Sequence, residues 1–149
     1  MLNRTEKVEH RTSNIEHSTS NGRKGAPAFD LEERLLHYAG RVIRLSSKLP
    51  RDRTGNHIAS QFLRSGTSPL GNHAEAQSAE SPADFIHKLR VCLKELRESY
   101  RWLRLIHYVP MIKNPKLIEP LLGETDELIR IFVKSIQTAE DRACAKNAK

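Results

Sequence analysis

The chain has 149 residues, enough for one domain with a single hydrophobic core. It carries 25 Lys and Arg against 18 Asp and Glu, and the resulting formal net charge of +7 favours contact with nucleic acid or another polyanion. The two cysteines form no disulfide framework or metal-binding spacing, and no apolar run is long enough for a membrane span or a secretory signal. We therefore expect a cytoplasmic protein with no membrane contact and no cofactor.

Residues 1–28 form a polar leader that contains a near-perfect tandem repeat. Val8-Glu-His-Arg-Thr-Ser-Asn is followed by Ile15-Glu-His-Ser-Thr-Ser-Asn, so apolar residues are rare in this segment. Such a segment cannot bury enough surface to offset its ordering entropy. We expect a disordered leader, a folded domain over 29–142 and a disordered basic tail over 143–149.

The first predicted helix starts with Asp30 and its neighbouring carboxylates, which favour the positive end of a helix dipole. It ends at Pro50. Its apolar residues recur every three or four positions, which is typical of a core-facing stripe. They are Leu31, Leu35, Tyr38, Val42, Leu45 and Leu49.

The second predicted helix begins near Asp52 or Thr54 and reaches about Ala79. It is rich in small residues, namely Ser65, Gly66, Thr67, Ser68, Gly71, Ala74 and Ala76. Glycine and serine are poor helix formers, so their concentration here indicates that another helix approaches closely and that packing compensates. We expect Pro69 to kink or locally break this helix.

Two further helices complete the predicted fold. The third starts at Ser81-Pro82-Ala83-Asp84, where a serine cap precedes a proline at the first helical position, and it stops before Pro110. Its apolar seam comprises Ile86, Leu89, Leu93, Leu96, Tyr100 and Leu103. The fourth runs from roughly Pro115 to Arg142, with Leu117, Leu121, Leu128, Phe132 and Ile136 on one side. Four amphipathic helices with short connections predict an all-α, antiparallel four-helix bundle.

Basic side chains form a row on the third helix. Five cations fall in one narrow sector with no acid among them: Arg90, Lys94, Arg97, Arg101 and Arg104. Like charges at this spacing destabilise a helix, so the row is either a surface for a polyanion or a solvated face whose cations pair with a neighbouring helix. A weaker cluster on the first helix comprises Arg34, Arg41, Arg44 and Lys48.

Arg64 lies among the small residues of the second helix, where a close helix contact would partly bury it. A buried charge needs a partner, and Glu75, Glu95 and Glu98 are the available carboxylates. We therefore predict a structural ion pair, within or between chains. Losing one partner of a buried pair typically costs several kcal/mol.

The sequence argues against an enzyme. The seven histidines are scattered without metal-ligand spacing, and no glycine-rich phosphate loop is present. Cys92 has no evident base partner and is predicted to lie in the core. Asn72, Glu75 and Gln77 are polar residues near a helix interface, where structural hydrogen bonds are the usual role.

Several separated motifs nevertheless occur in a recognisable order. They are Gln61-Phe-Leu-Arg-Ser-Gly-Thr-Ser, Asn72, Glu75-Ala-Gln-x-Ala-Glu-Ser, Asp84-Phe, Lys88-Leu and Lys94-Glu-Leu-Arg-Glu-x-Tyr-x-Trp-Leu. Over about residues 29–140 the chain resembles the four-helix-bundle family of 23S rRNA intervening-sequence proteins, which includes the accessory variability protein of diversity-generating retroelements. The chain departs from the pattern mildly at Pro69-Leu-Gly, which bears on helix continuity there.

The resemblance implies a ring-shaped homopentamer. It also implies that the motif residues Arg64, Asn72, Glu75, Asp84, Glu95 and Glu98 maintain the bundle and its assembly. The retroelement member uses a basic surface to bind nucleic acid and a reverse transcriptase. Two hypotheses follow for this chain: a homo-oligomeric protein that binds RNA or DNA through basic helix faces, or a scaffold for protein partners.

Overall fold

The computed structural model describes residues 30–147, and these contain four α-helices and no strand. The helices are α1 (Leu31–Ser46), α2 (Arg53–Gln77), α3 (Pro82–Tyr108) and α4 (Glu119–Asn147). Helix α2 packs against α1 and α3, and α3 also packs against α4. The prediction of an all-helical bundle is confirmed. The expected leader, residues 1–28, lies outside the described residues.

Three helix starts are set by side chains that cap the backbone. The Asp30 carboxylate accepts a hydrogen bond from the Glu33 amide at 3.1 Å, and the Asp52 carboxylate accepts one from the Gly55 amide at 2.7 Å. Ser81 Oγ accepts one from the Asp84 amide at 3.1 Å. Each cap satisfies an amide that has no partner inside its own helix. The starts predicted for the first three helices are therefore confirmed.

The core contains most of the predicted apolar stripes and one buried polar cluster. Tyr100, predicted in the seam of α3, is only partly buried and is not among the core residues. Tyr38 is 1% exposed, and its hydroxyl lies 2.8 Å from Ser99 Oγ. Thr125 Oγ1 lies 3.1 Å from the same hydroxyl and donates to the Leu121 carbonyl at 2.6 Å. Burial raises the pKa of Tyr38, so the hydroxyl stays protonated and available as a donor. The cluster joins α1, α3 and α4 at the centre of the bundle.

The small residues of α2 do admit a close neighbour. A Cβ atom built on Gly66 would lie 2.6 Å from Val42 Cγ1, which is inside van der Waals contact. Helix α2 nevertheless continues without interruption through Pro69, so the predicted local break is wrong, whereas the alternative of a kink stays a prediction. Pro69 is buried, and its carbonyl accepts a hydrogen bond from the Cys92 thiol at 3.5 Å. Packing against α3 therefore holds the helix together despite one missing backbone donor.

The fourth helix differs from its predicted bounds at both ends. Pro115–Leu117 form a 3₁₀ turn, α4 begins only at Glu119, and it continues to Asn147, past the end expected at 142. Because Leu117 belongs to the turn, it does not follow the spacing of α4 and is 43% exposed. Pro120 is accommodated in the first turn of α4, where its missing amide would have no helical acceptor.

Candidate nucleic-acid interface

The basic row on α3 faces solvent along its whole length, but its two halves differ. Arg90 donates to Glu140 of α4 at 2.6 Å, and Lys94 lies 3.9 Å from Glu95. Arg97, Arg101 and Arg104 are exposed and form no ion pair with any carboxylate among residues 30–147. Pairing with a neighbouring helix therefore describes Arg90 alone, since Glu95 belongs to α3 itself. The second half presents three uncompensated charges.

The cluster on α1 lines a groove beside the start of α4. Arg41, Arg44 and Lys48 border a cavity of about 180 Å³ whose opposite wall includes Leu117 and Leu121. Their side chains are partly or largely exposed. These three cations therefore remain accessible to an anion from outside.

Arg34 belongs to the same helix but is already engaged. It donates to Glu124 at 2.6 Å and to Glu127 at 2.5 Å, both on α4. The hydrogen bond to Glu124 raises the pKa of Arg34 above its ordinary value. Arg34 therefore links α1 to α4 and does not extend the accessible cluster.

The two basic groups lie on helices that do not pack along each other. Helix α1 packs along α2, and α3 packs between α2 and α4. Helices α1 and α3 contact each other in the interior through the hydrogen bond between the Tyr38 and Ser99 hydroxyl groups. The basic groups of α1 and α3 therefore lie on separate helices, and the connections that follow these two helices line one cavity at the end of the bundle.

That end carries a large excess of positive charge. The connections after α1 and α3 meet there around a cavity of about 450 Å³ lined by Lys48, Pro50, Met111, Ile112, Lys113, Asn114 and Leu117. Residues 41–57 and 97–123, which we call the basic end, contain ten Lys or Arg and three Asp or Glu. The remaining described residues contain nine Lys or Arg and twelve Asp or Glu. The bundle is therefore polarised along its axis.

Four cations of the basic end were missed by reasoning from helix faces. Arg51 and Arg53 flank the start of α2, and Lys113 and Lys116 lie in the connection between α3 and α4. A helical wheel of α1 or α3 includes neither the connections nor the first residue of α2, so it cannot group these cations with the rows on α1 and α3. A count of charge in the segments around each predicted turn would have found them.

Arg64 sits in a cluster between α2 and α3, and it is more exposed than predicted. Its side chain is 59% exposed and donates to Glu98 at 2.6 Å, with Glu95 at 3.9 Å. Glu98 also accepts from Trp102 Nε1 at 3.3 Å. Arg64 is therefore less buried than expected, and it pairs with Glu98 within one chain. Glu95 is the buried member, with 6% exposure.

The other motif residues make local or surface contacts. Asn72 donates to the Ser68 carbonyl at 3.0 Å and to Ser68 Oγ at 2.9 Å. Glu75 pairs with Lys88 of α3 and is not close to Arg64, contrary to one of the expected pairings. Asp84 lies in the first turn of α3, where a carboxylate favours the helix dipole. An assembly role for these residues remains a prediction.

A profile described as the 23S rRNA-intervening sequence protein family matches residues 30–134. The chain belongs to this family. The chain is similar to a solved structure of a protein of unknown function from the S23 ribosomal protein family of Bacteroides thetaiotaomicron. The two sequences are 32% identical, the match covers 70% of this chain and 96% of that chain, and the TM-score is 0.65. Among curated proteins, no sequence matches this chain.

Across residues 30–147, no three His, Cys, Asp or Glu side chains are placed to hold a metal ion. Burial raises the pKa of the Cys92 thiol to about 12, so it is held as a thiol. No helix in the same range is long and apolar enough to cross a membrane.

His73 is the one buried histidine in that range. Its ring packs edge-on against Phe132 with 6.2 Å between centroids, and burial lowers its pKa. Its Nδ1 atom has no hydrogen-bond partner in the structure. Its Nε2 atom lies 3.3 Å from Gln77 Nε2, and within residues 30–147 the ring forms no hydrogen bond to a Ser, Thr or Cys side chain of the kind that a catalytic pair requires.

Proposed function

We propose that this protein is a non-enzymatic, homo-oligomeric protein whose basic end binds the phosphate backbone of RNA or DNA. The observation that carries this proposal is the segregation of charge, with ten cations and three acids at one end and a net acidic remainder. The whole-chain excess alone would not support it, because solvated helical surfaces are often basic.

The unpaired cations give the proposal its physical basis. A salt-bridged arginine gains little from a phosphate, because it must first give up its carboxylate. Arg97, Arg101 and Arg104 have no such partner among the described residues. Their mutual repulsion falls when phosphates replace the water and counterions around them, and released counterions add to the driving force.

The proposal is tested by reversing charge at two places. The first variant carries Arg97→Glu, Arg101→Glu and Arg104→Glu. The matched control carries Lys134→Glu, Arg142→Glu and Lys146→Glu on α4, three exposed cations outside the basic end that form no ion pair within residues 30–147. Both change the net charge equally, so a purely non-specific attraction would weaken alike in both.

We expect the first variant to lose binding to a labelled structured RNA or duplex DNA by at least tenfold more than the control, as measured by fluorescence anisotropy. Circular dichroism would establish that both variants retain their helices. Equal loss in the two variants would refute the basic end as the binding surface. Binding by none of the proteins, including wild type at low salt, would refute the function.

Self-association is proposed through the outer side of α1 and α2. Leu36, Ile43 and Leu63 are 50%, 53% and 39% exposed, and they lie on the two helices that meet at Gly66. Contact with a second copy would remove these apolar groups from water. The family resemblance implies five copies in a ring. Light scattering of wild type and of Ile43→Lys tests this, since an oligomer should dissociate when a charge replaces the aliphatic side chain.

The same exposed side chains favour a second candidate function, a scaffold for a protein partner such as a reverse transcriptase. Apolar contacts depend little on salt, whereas phosphate contacts weaken steeply as salt rises. Partner binding that survives high salt and is lost in Ile43→Lys would favour the scaffold over nucleic-acid binding.

A further inference from the structure

One aromatic side chain at the basic end projects into solvent. Tyr108 is the last residue of α3 and is 86% exposed, more than any other exposed large hydrophobic residue in 30–147. Within that range its ring makes no hydrogen bond or aromatic contact. A single exposed ring needs no explanation by itself, but its position on the helix does.

Tyr108 continues the row of unpaired cations. Arg97, Arg101, Arg104 and Tyr108 follow one another at spacings of four, three and four residues, which places all four on one face of α3. At a rise of about 1.5 Å per residue, the ring lies about 6 Å further along the helix axis than Arg104. The face therefore ends in an aromatic surface with cations directly behind it.

The backbone that presents this ring is firmly held. Leu103 and Ile106, in the last two turns of α3, are both 0% exposed. The Val109 amide donates to the Leu105 carbonyl at 2.9 Å and closes the helix. Tyrosine has only two side-chain torsions, so its side chain loses little conformational entropy when a ligand stacks on it.

We infer that Tyr108 stacks on an unpaired base of an RNA loop while Arg97, Arg101 and Arg104 contact the adjoining phosphates. This inference rests on the proposed function and adds the class of nucleic acid that the basic end selects. Bases inside a duplex are stacked on one another, so an exposed ring cannot reach their faces. Unpaired bases in RNA loops are splayed out and stack readily on aromatic side chains.

The experiment compares two RNAs and three substitutions at the same end. The RNAs are a labelled hairpin with an unpaired loop and a fully paired blunt duplex that contains the same stem. The proteins are full-length wild type, Tyr108→Ala, Tyr108→Phe and the triple variant Arg97→Glu, Arg101→Glu, Arg104→Glu. Tyr108 is so exposed that neither substitution should disturb folding, and Tyr108→Phe keeps the ring.

We expect Tyr108→Ala to weaken hairpin binding roughly 5- to 150-fold, the range for loss of one base–aromatic stack. Duplex binding should change less than twofold, and Tyr108→Phe should bind the hairpin as wild type does. The triple variant should lose affinity for both RNAs.

Two results would overturn the inference while leaving the proposed function standing. In the first, Tyr108→Ala binds both RNAs as wild type does, while the triple variant binds neither. In the second, Tyr108→Ala dissociates the oligomer in light scattering, which would make the ring a contact between copies. If wild type bound neither RNA at low salt, the proposed function would fail together with the inference.

Discussion

Replacing Gly66 with alanine tests the close approach of α1 and α2. The new methyl group would lie 2.6 Å from Val42 Cγ1 and 2.8 Å from Val42 Cγ2, so one of the helices must shift. Gly71 lies in the same helix, and a Cβ added there would meet nothing within 4 Å. Gly71→Ala is therefore a matched control that changes helix propensity without changing packing.

The two substitutions should have different effects on the free energy of unfolding. Alanine is favoured over glycine in a helix by about 1 kcal/mol, and both variants gain this term. Overpacking a core by one methyl group costs about 1–3 kcal/mol, and only Gly66→Ala incurs it. Gly71→Ala should thus raise the free energy of unfolding, whereas Gly66→Ala should lie about 1–3 kcal/mol below that control.

Chemical denaturation followed by circular dichroism measures this difference, at one protein concentration because assembly can shift the transition. Val42 is 0% exposed, so Val42→Ala is destabilising alone, but the double variant with Gly66→Ala should lose less stability than the sum of the two single losses, which a double-mutant cycle reports as favourable coupling. If Gly66→Ala proved as stabilising as Gly71→Ala, the inference that α2 uses its small residues to admit α1 would be refuted.

Three further predictions concern ionisable groups. Because Arg64 is 59% exposed, Arg64→Ala should lower the free energy of unfolding by no more than about 1 kcal/mol in urea titrations, and a loss above about 3 kcal/mol would show a buried pair. With the pKa of Cys92 raised to about 12, only Cys144 should react with a thiol reagent at pH 8 in the folded protein, and Cys144→Ser should abolish that reaction. Burial lowers the pKa of His73, so the unfolded chain takes up the proton first and stability should fall as pH drops through about 6.5. His73→Gln should flatten that pH dependence, and an unchanged slope would contradict the assignment.

Helix starts were predictable because their determinants are local. The caps at Asp30, Asp52 and Ser81 involve a side chain and an amide three residues away, so the sequence contains both partners. The continuity of α2 through Pro69 was not predictable in this way. It depends on burial against α3, which only the assembled bundle supplies.

The candidate site was predictable only in part, for a similar reason. Periodicity placed Arg97, Arg101 and Arg104 on one exposed face, but it could not tell that Arg90 would reach Glu140 on another helix. Periodicity also could not predict that Lys113 and Lys48 line the same cavity, because that depends on how the connections fold together. Charge arrangement across the bundle is a tertiary property.

The salt dependence of RNA binding by the wild-type protein tests the central claim most directly. Each phosphate contact contributes about 0.7–0.9 to the slope of log affinity against log salt concentration. Contacts by Arg97, Arg101, Arg104, Lys113 and Lys116 would together give a slope of about −4 in anisotropy titrations of a labelled structured RNA. A slope near zero, or no binding at low salt, would contradict a phosphate-binding basic end.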